Sequence, residues 1–330
     1  MSKLRIALIG LGQHMQRILY PALLNCAAEI VAVCDADLVK AQTFASIHRV
    51  GAVYPSAEAL YASESVDAVV CAANSTVHYT VARLFASKCI PVYIEKTPCD
   101  TREQARELAL LEARNHVLIQ TGLNRRFATG YVMAKEIISR KAFDHPTLFL
   151  SKFNASPYAN ERFFLTNHVL HHLDLARYFL GELQDLHLRR VRVDGQRFGF
   201  QLDAVSQGGA LVCIQSNSLQ DIHYPMERVE ITGVGQLIIV DNMRSLQYHR
   251  PASDKSCSES AHMHDDADAL CWWPNLGYPF VNQGMGNEDE IRHFIDAVRG
   301  VCAPLLPFSE VLGSMELLYD VLDLYDQLPC

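Results

Sequence analysis

The sequence contains no run of about 18 apolar residues, so no segment of it is expected to cross a bilayer as a helix. It has no excess of positive charge. Lys and Arg number 29 against 37 Asp and Glu, a net charge of −8, which argues against nucleic acid as a partner because phosphate recognition needs a basic face. It has no Cys-x-x-Cys pair. Its ten cysteines are scattered, and Cys34, Cys71 and Cys213 stand inside apolar runs, so they read as reduced, buried residues of a cytoplasmic protein. A strand pattern starts directly after Met1-Ser2-Lys3, with no basic and apolar leader, and no secretory signal is expected. Repeats and low-complexity segments are missing as well. What remains is 330 residues of ordinary globular composition, 49% hydrophobic, enough for about two domains.

The first part of the chain alternates. Apolar strand signals over 4–9, 30–34, 53–54, 66–72, 91–94 and 117–122 are separated by helix signals over 13–24, 38–48, 56–62, 76–87 and 101–115. Short apolar strands between helices predict a parallel sheet covered on both faces, and right-handed crossovers make it doubly wound. After about Phe127 the pattern changes. A helix over 131–140, a strand over 147–153 and a helix over 167–180, stopped by Gly181, precede six strand signals between Leu186 and His249. Turn signals at Asp194-Gly195, Gly208-Gly209 and 233–235 make this second part an α/β domain with an open, mostly antiparallel sheet. Residues 251–286 read as irregular, and helices over 287–299 and 309–325 close the chain. The expected division is 1–123, a dinucleotide-binding domain, and 124–330, a substrate-binding and oligomerisation domain whose last helices are free to pack back on the first.

Gly10-Leu11-Gly12-Gln13-His14-Met15 follows a strand and opens a helix. The first glycine permits a tight turn, and the second lets a pyrophosphate approach the backbone at a helix N-terminus. Asp35 ends the second strand 25 positions after Gly10, where a carboxylate can accept both adenosine ribose hydroxyls. Its charge would repel a 2′-phosphate and no arginine stands just after it, which favours NAD over NADP. The plain alternative for Asp35 is a turn or helix cap. At another strand end, the small residues from Ala72 through Asn74 leave room for the cofactor, with His78 nearby. Thr76 is a candidate cap of the next helix.

Glu95-Lys96-Thr97-Pro98 puts a lysine at the carboxyl end of a parallel strand, the edge at which such sheets bind ligands. An ammonium there can donate to a substrate oxygen and stabilise developing negative charge. Asn167, His171 and Asp174 are spaced i, i+4 and i+7, one stripe of a helix, with His168 beside it. His171 can take a hydroxyl proton as hydride leaves, and Asn167 can orient it or the substrate. Asn124, Arg126 and Trp272 are further substrate-side candidates, although an arginine here can simply pair with a carboxylate and a tryptophan can simply anchor a loop. His262, His264, Asp265 and Asp266 have some look of metal ligands, but hydride transfer needs no metal and none is expected.

Taken together, Gly10-Leu11-Gly12, Asp35, the stretch from Ala72 to His78, Glu95-Lys96-Thr97-Pro98 and His171-His172-Leu173-Asp174-Leu175-Ala176-Arg177 with Gly181 resemble the Gfo/Idh/MocA oxidoreductases. Arg228-Val229-Glu230-Ile231-Thr232-Gly233 and Gly286-Asn287-Glu288 are also similar to that family. The resemblance implies a Rossmann domain, an α/β domain with an open sheet, and oxidation or reduction of a sugar, cyclitol or related polyol, with the family's lysine at Lys96 and its histidine at His171. Thr97 stands where the family usually has proline, Asn167 where it often has aspartate, and Met15 where a third glycine is usual.

The leading expectation is therefore an NAD(P)-dependent oxidoreductase. Its cofactor contacts would be Gly10, Gly12, Gln13, His14, Met15, Asp35, Ala72, Asn74, His78, Glu95 and Lys96, its catalytic group Lys96, His171 and Asn167, and its substrate side Lys96, Asn124, Arg126, His168, His171 and Trp272. Two other readings stay open: a lyase, hydratase or glycosidase that uses NAD in a transient redox cycle, and a non-catalytic NAD or sugar sensor. Homo-oligomerisation, as a dimer or tetramer through the second sheet, is expected because one face of that sheet is left free.

Overall fold

The computed structural model describes residues 3–250, 264–266, 269–273 and 284–329. The chain divides into two compact units, Met1–Leu123 with Asn287–Glu316, and Asn124–Gly286 with Leu317–Cys330.

In the first unit the strands are β1 (Leu4–Ile9), β2 (Ala28–Cys34), β3 (Ala52–Tyr54), β4 (Ala68–Cys71), β5 (Val92–Ile94) and β6 (Ile119–Thr121). Between them lie α1 (Tyr20–Leu24), which continues from a π turn at Met15–Leu19, then α2 (Leu38–His48), α3 (Ala57–Ser63), α4 (Ser75–Ala86) and α5 (Arg102–Asn115). The sheet is wholly parallel in the order β3-β2-β1-β4-β5-β6, the doubly wound arrangement expected. All four residues of β4 and all three of β5 are buried, because helices cover both faces of the sheet.

The second unit holds α6 (Thr129–Ile138), β7 (Leu148–Asn154), α7 (Glu161–Phe164), a π turn at Leu165–Val169, and α8 (Leu170–Leu180). Its other strands are β8 (Leu183–Arg192), β9 (Phe198–Ser206), β10 (Leu211–Asn217), β11 (Met226–Gly233), β12 (Gln236–Asp241), β13 (Ser245–His249), β14 (His264–Asp266) and β15 (Ala269–Trp272). They form one sheet, β14-β15-β13-β12-β11-β7-β10-β9-β8, antiparallel except for the β7–β10 pair. Buried and open positions alternate along β7, β9, β10 and β11, as in a sheet with one face covered. Two expectations are corrected here. Residues 251–286 are not all irregular, since β14 and β15 lie within them. The helix expected over 167–180 is interrupted by the π turn, which carries Asn167 and His168.

The closing helices α9 (Asn287–Val298) and α10 (Phe308–Asp326) follow. Ile291, Phe294 and Ile295 of α9 belong to the same core as Ile6, Leu8, Val33 and Val70. Glu112 of α5, buried, accepts from the N–H groups of Ile119 and Phe308 through Oε1 and of Ser309 through Oε2, so one carboxylate ties β6 to the start of α10. No helix among the described residues is long and apolar enough to cross a membrane.

The second core contains a buried polar pair that makes stability depend on pH. His172 is fully buried, with Nδ1 2.6 Å from Ser151 Oγ and no hydrogen-bond partner for Nε2 among the described residues. Burial pushes its imidazole from the ordinary 6.5 down to about 4, against the attraction of Glu227. Below pH 6.5 the unfolded chain binds a proton that the folded chain refuses. The contribution is therefore complete above that pH and is lost as pH falls towards 4, at up to roughly 1 kcal/mol per unit. Urea midpoints at pH 7.5 and 5 are expected to fall more for the wild type than for His172→Gln. Equal falls would place the acid sensitivity elsewhere.

Candidate cofactor and active site

At the end of β1 the chain turns through Gly10, whose φ is +78°. A Cβ built there would lie 2.3 Å from the Ala72 carbonyl oxygen, so the protein's own packing requires this glycine. Gly12 is different. A Cβ there would meet nothing within 4 Å, and Gly12, Gln13 and His14 are all exposed. The second glycine keeps space open on the loop's outer side, which is what a bound pyrophosphate needs. The side chain of Met15, by contrast, is fully buried in the core.

Asp35, just past β2, is nearly buried. Its Oδ2 accepts from Leu11 N–H at 2.8 Å and from Lys40 Nζ at 2.9 Å, and its Oδ1 accepts from Asp37 N–H at 2.9 Å. Burial alone would raise its pKa. The Leu11 and Asp37 N–H groups and Lys40 outweigh that and hold it below the usual range. The cap of α2 is Asp37, not Asp35. The carboxylate thus fixes the glycine loop from below. Lys40, in the first turn of α2, is not marked as the partner of Asp35 by any local sequence signal.

Two strand-end loops beyond the glycine loop are joined by one imidazole. Asn74 caps α4 by accepting from Val77 N–H, while Thr76 bonds Asp100, so the cap is Asn74 rather than Thr76. His78 is fully buried. Its Nε2 accepts from Ala73 N–H at 2.8 Å, and its Nδ1–H donates to the Thr97 carbonyl at 2.9 Å. Burial lowers its pKa, which suits the neutral tautomer that these two bonds require. His78 is thus a brace between the β4 end and the lysine loop, with both ring nitrogens bonded to the protein. The Lys96–Thr97 peptide bond is cis.

Glu95 stands between β5 and Lys96, buried. Oε1 accepts from the Tyr93 hydroxyl at 2.9 Å and lies 3.0 Å from His14 Nε2. The Tyr93 hydroxyl is also 3.0 Å from Glu290 Oε2 of α9. A Cβ on Gly122 would lie 2.8 Å from both Glu95 carboxyl oxygens and from Tyr93 Oη, so a larger residue there would push this hydrogen-bonded pair aside. Burial would raise the Glu95 carboxyl, but His14, Lys96 and Tyr93 keep it low. The first unit therefore gathers Gly12, His14, Glu95, Lys96 and Thr97, the lysine loop being held from both sides. Tyr93, Gly122 and Glu290 were not legible beforehand, since they come from three separate elements.

In the second unit, Asn167 and His168 are half-buried and His171 is buried on α8. Asn167 Nδ2 donates to the Tyr158 hydroxyl at 2.9 Å, and the His168 ring stacks on Phe153 at 4.8 Å. A π turn closes at i+5, so the expected i, i+4, i+7 stripe does not run straight through Asn167. Three residues expected on the substrate side have partners within the protein. Arg126 is buried, forking onto both oxygens of Asp174 at 2.9 and 2.7 Å. Asn124 Nδ2 donates to the Met285 carbonyl at 2.7 Å. Trp272 is nearly buried in β15, opposite Leu246. His262 lies outside the described residues. Among those described, no three His, Cys, Asp or Glu side chains gather as metal ligands.

A family model described as an oxidoreductase family with an NAD-binding Rossmann fold matches residues 4–123. An inositol 2-dehydrogenase of Acidothermus cellulolyticus is 31% identical over 204 residues, 58% of this chain and 57% of that protein. The chain thus covers less than two thirds of the length of the curated relatives it matches first. A dehydrogenase structure from Chromobacterium violaceum superposes at a TM-score of 0.86 with 22% identity, covering 98% of this chain and 95% of that one. The WlbA dehydrogenase of Bordetella pertussis, in complex with NADH and UDP-GlcNAcA, does so at 0.78 with 17% identity, covering 100% and 99%. These two likenesses establish the fold.

Proposed function

Residues 4–123 belong to the Gfo/Idh/MocA oxidoreductases with their NAD-binding Rossmann fold, and from that premise we propose that the chain transfers hydride between a nicotinamide and a secondary alcohol of a sugar, cyclitol or related polyol. The observation that carries this reading is the placement of Lys96 directly after Glu95, which is linked through His14 to the open glycine loop. NAD is the favoured cofactor, with Gly10 and Gly12 at the pyrophosphate, ionised Asp35 at the adenosine ribose and Lys96 on the substrate side. In oxidation, Lys96 holds the reacting oxygen, His171 takes its proton, and hydride passes to nicotinamide C4; Asn167 and His168 orient His171 or the substrate. The cyclitol class is supported by the name of the inositol 2-dehydrogenase relative. The free thiols Cys34 and Cys71 suit a reducing, cytoplasmic setting. The second face of the β7–β11 sheet, with exposed Leu148 and Leu211 beside charged Arg228 and Glu230, suits a copy of the same chain.

The test is absorbance at 340 nm with NAD or NADP and a panel of inositols, hexoses, amino sugars and sugar acids. NADH appearing with one polyol class is expected. Bound NAD with no net NADH across the panel would sink this reading in favour of transient redox in a lyase, hydratase or glycosidase, or of a non-catalytic sensor.

A further inference from the structure

His14 stands two residues past Gly12, and its side chain is 46% exposed, yet Nε2 is fixed 3.0 Å from Oε1 of a carboxylate that is itself buried. An ionised carboxylate only accepts, so the proton on that side sits on Nε2 and Nδ1 is the nitrogen left to titrate. The titratable and charged groups facing the ring come from the end of β5, Glu95 and then Lys96. Tyr93 reaches Glu95 from its other side.

We propose that His14 takes up a proton from solvent on Nδ1 when a nicotinamide dinucleotide binds, so that an imidazolium clamped by Glu95 faces the negative pyrophosphate. This rests on the reading of the glycine loop as a dinucleotide site. No bond in the dinucleotide changes, and the reaction consumes one proton per binding event where the free ring is neutral. The direction of the pH effect follows. Bound pyrophosphate favours the charged ring, so the ring's pKa is higher in the complex than in the free protein. Between the two values affinity falls as pH rises. In the free protein, burial lowers the pKa of the ring and Lys96 adds to that, but Glu95 outweighs both and holds it above 6.5, so the window opens above that pH. Asp35 and Glu95 are held low and stay ionised across it, and His78 is held neutral.

NADH is the probe, because its pyrophosphate charge is constant here and it lacks the nicotinamide's positive charge. Its dissociation constant, read by fluorescence at pH 6.5, 7.5 and 8.5, is expected to rise on the order of tenfold for the wild type. For His14→Gln it is expected to start weaker and stay flat within about twofold. Calorimetry of the wild type at pH 8 in buffers of different ionisation enthalpy is expected to read proton uptake. A wild-type slope retained in His14→Gln, or no proton uptake, overturns the inference while leaving the dinucleotide reading intact. No NADH binding by folded wild type at any pH overturns both.

Discussion

Lys96→Ala is expected, on the proposed hydride-transfer reading, to lower turnover on the polyol found in the 340 nm panel by about 100-fold or more while NADH still binds within about threefold of the wild type. In the proposed step charge develops on the reacting oxygen as hydride moves, and an ammonium placed there would stabilise the transition state more than the bound alcohol. The loss should therefore fall on kcat. The loop itself is held by atoms that the substitution leaves in place: the Thr97 carbonyl on His78, and the Glu95 carboxylate on His14 and Tyr93. Steady-state kinetics with NADH titration separates the two effects. Turnover within threefold of the wild type would remove Lys96 from the chemistry. Lost turnover together with lost NADH binding would make it a cofactor residue instead.

Glu227→Ala should unfold the second unit more readily than any surface change. Arg125 Nε and Nη2 reach Glu227 Oε2 at 3.0 and 2.6 Å, and the Tyr131 hydroxyl reaches Oε1 at 2.7 Å, all three residues buried. Burial alone would raise the Glu227 carboxyl, yet the Arg125 guanidinium and the Tyr131 hydroxyl hold it below the ordinary range. Removing the carboxylate leaves a buried guanidinium and a buried hydroxyl without their acceptor, a loss of about 3–5 kcal/mol. For a unit of this size that lowers Tm by on the order of 10 °C. Calorimetry should show the transition of the second unit moving down. A shift below about 3 °C would mean that water or a rearranged side chain takes over the acceptor role.

Apart from β14 and β15, the strands of both sheets were legible because their signals are local. After the exposed Arg5, Ile6 to Ile9 is apolar throughout, since this part of β1 is buried on both faces, and β10 alternates, since one face is open. The strand-end positions of Gly10, Asp35 and Lys96 were legible because the apolar runs of β1, β2 and β5 stop just before them. The pairs that decide what the arginines do were not. Arg126 meets Asp174 across 48 residues and Arg125 meets Glu227 across 102, and no periodicity encodes a partner at that distance. The π turn at Leu165–Val169 was hidden for another reason: one extra residue per turn leaves the apolar pattern readable as an ordinary helix.

Ile291, Phe294 and Ile295 complete a core begun by Ile6 and Leu8, and the 163 residues of 124–286 are made in between. On a ribosome adding 5–20 residues per second, that gap lasts on the order of ten to thirty seconds. For that interval the nascent first unit has all six strands but lacks the helix that covers Tyr93 and the flank of β1. It is then a client for chaperones that hold exposed apolar surface. A fragment ending at Leu123 would remain in that state permanently, whereas a fragment of 124–286 would carry its whole sheet from the start.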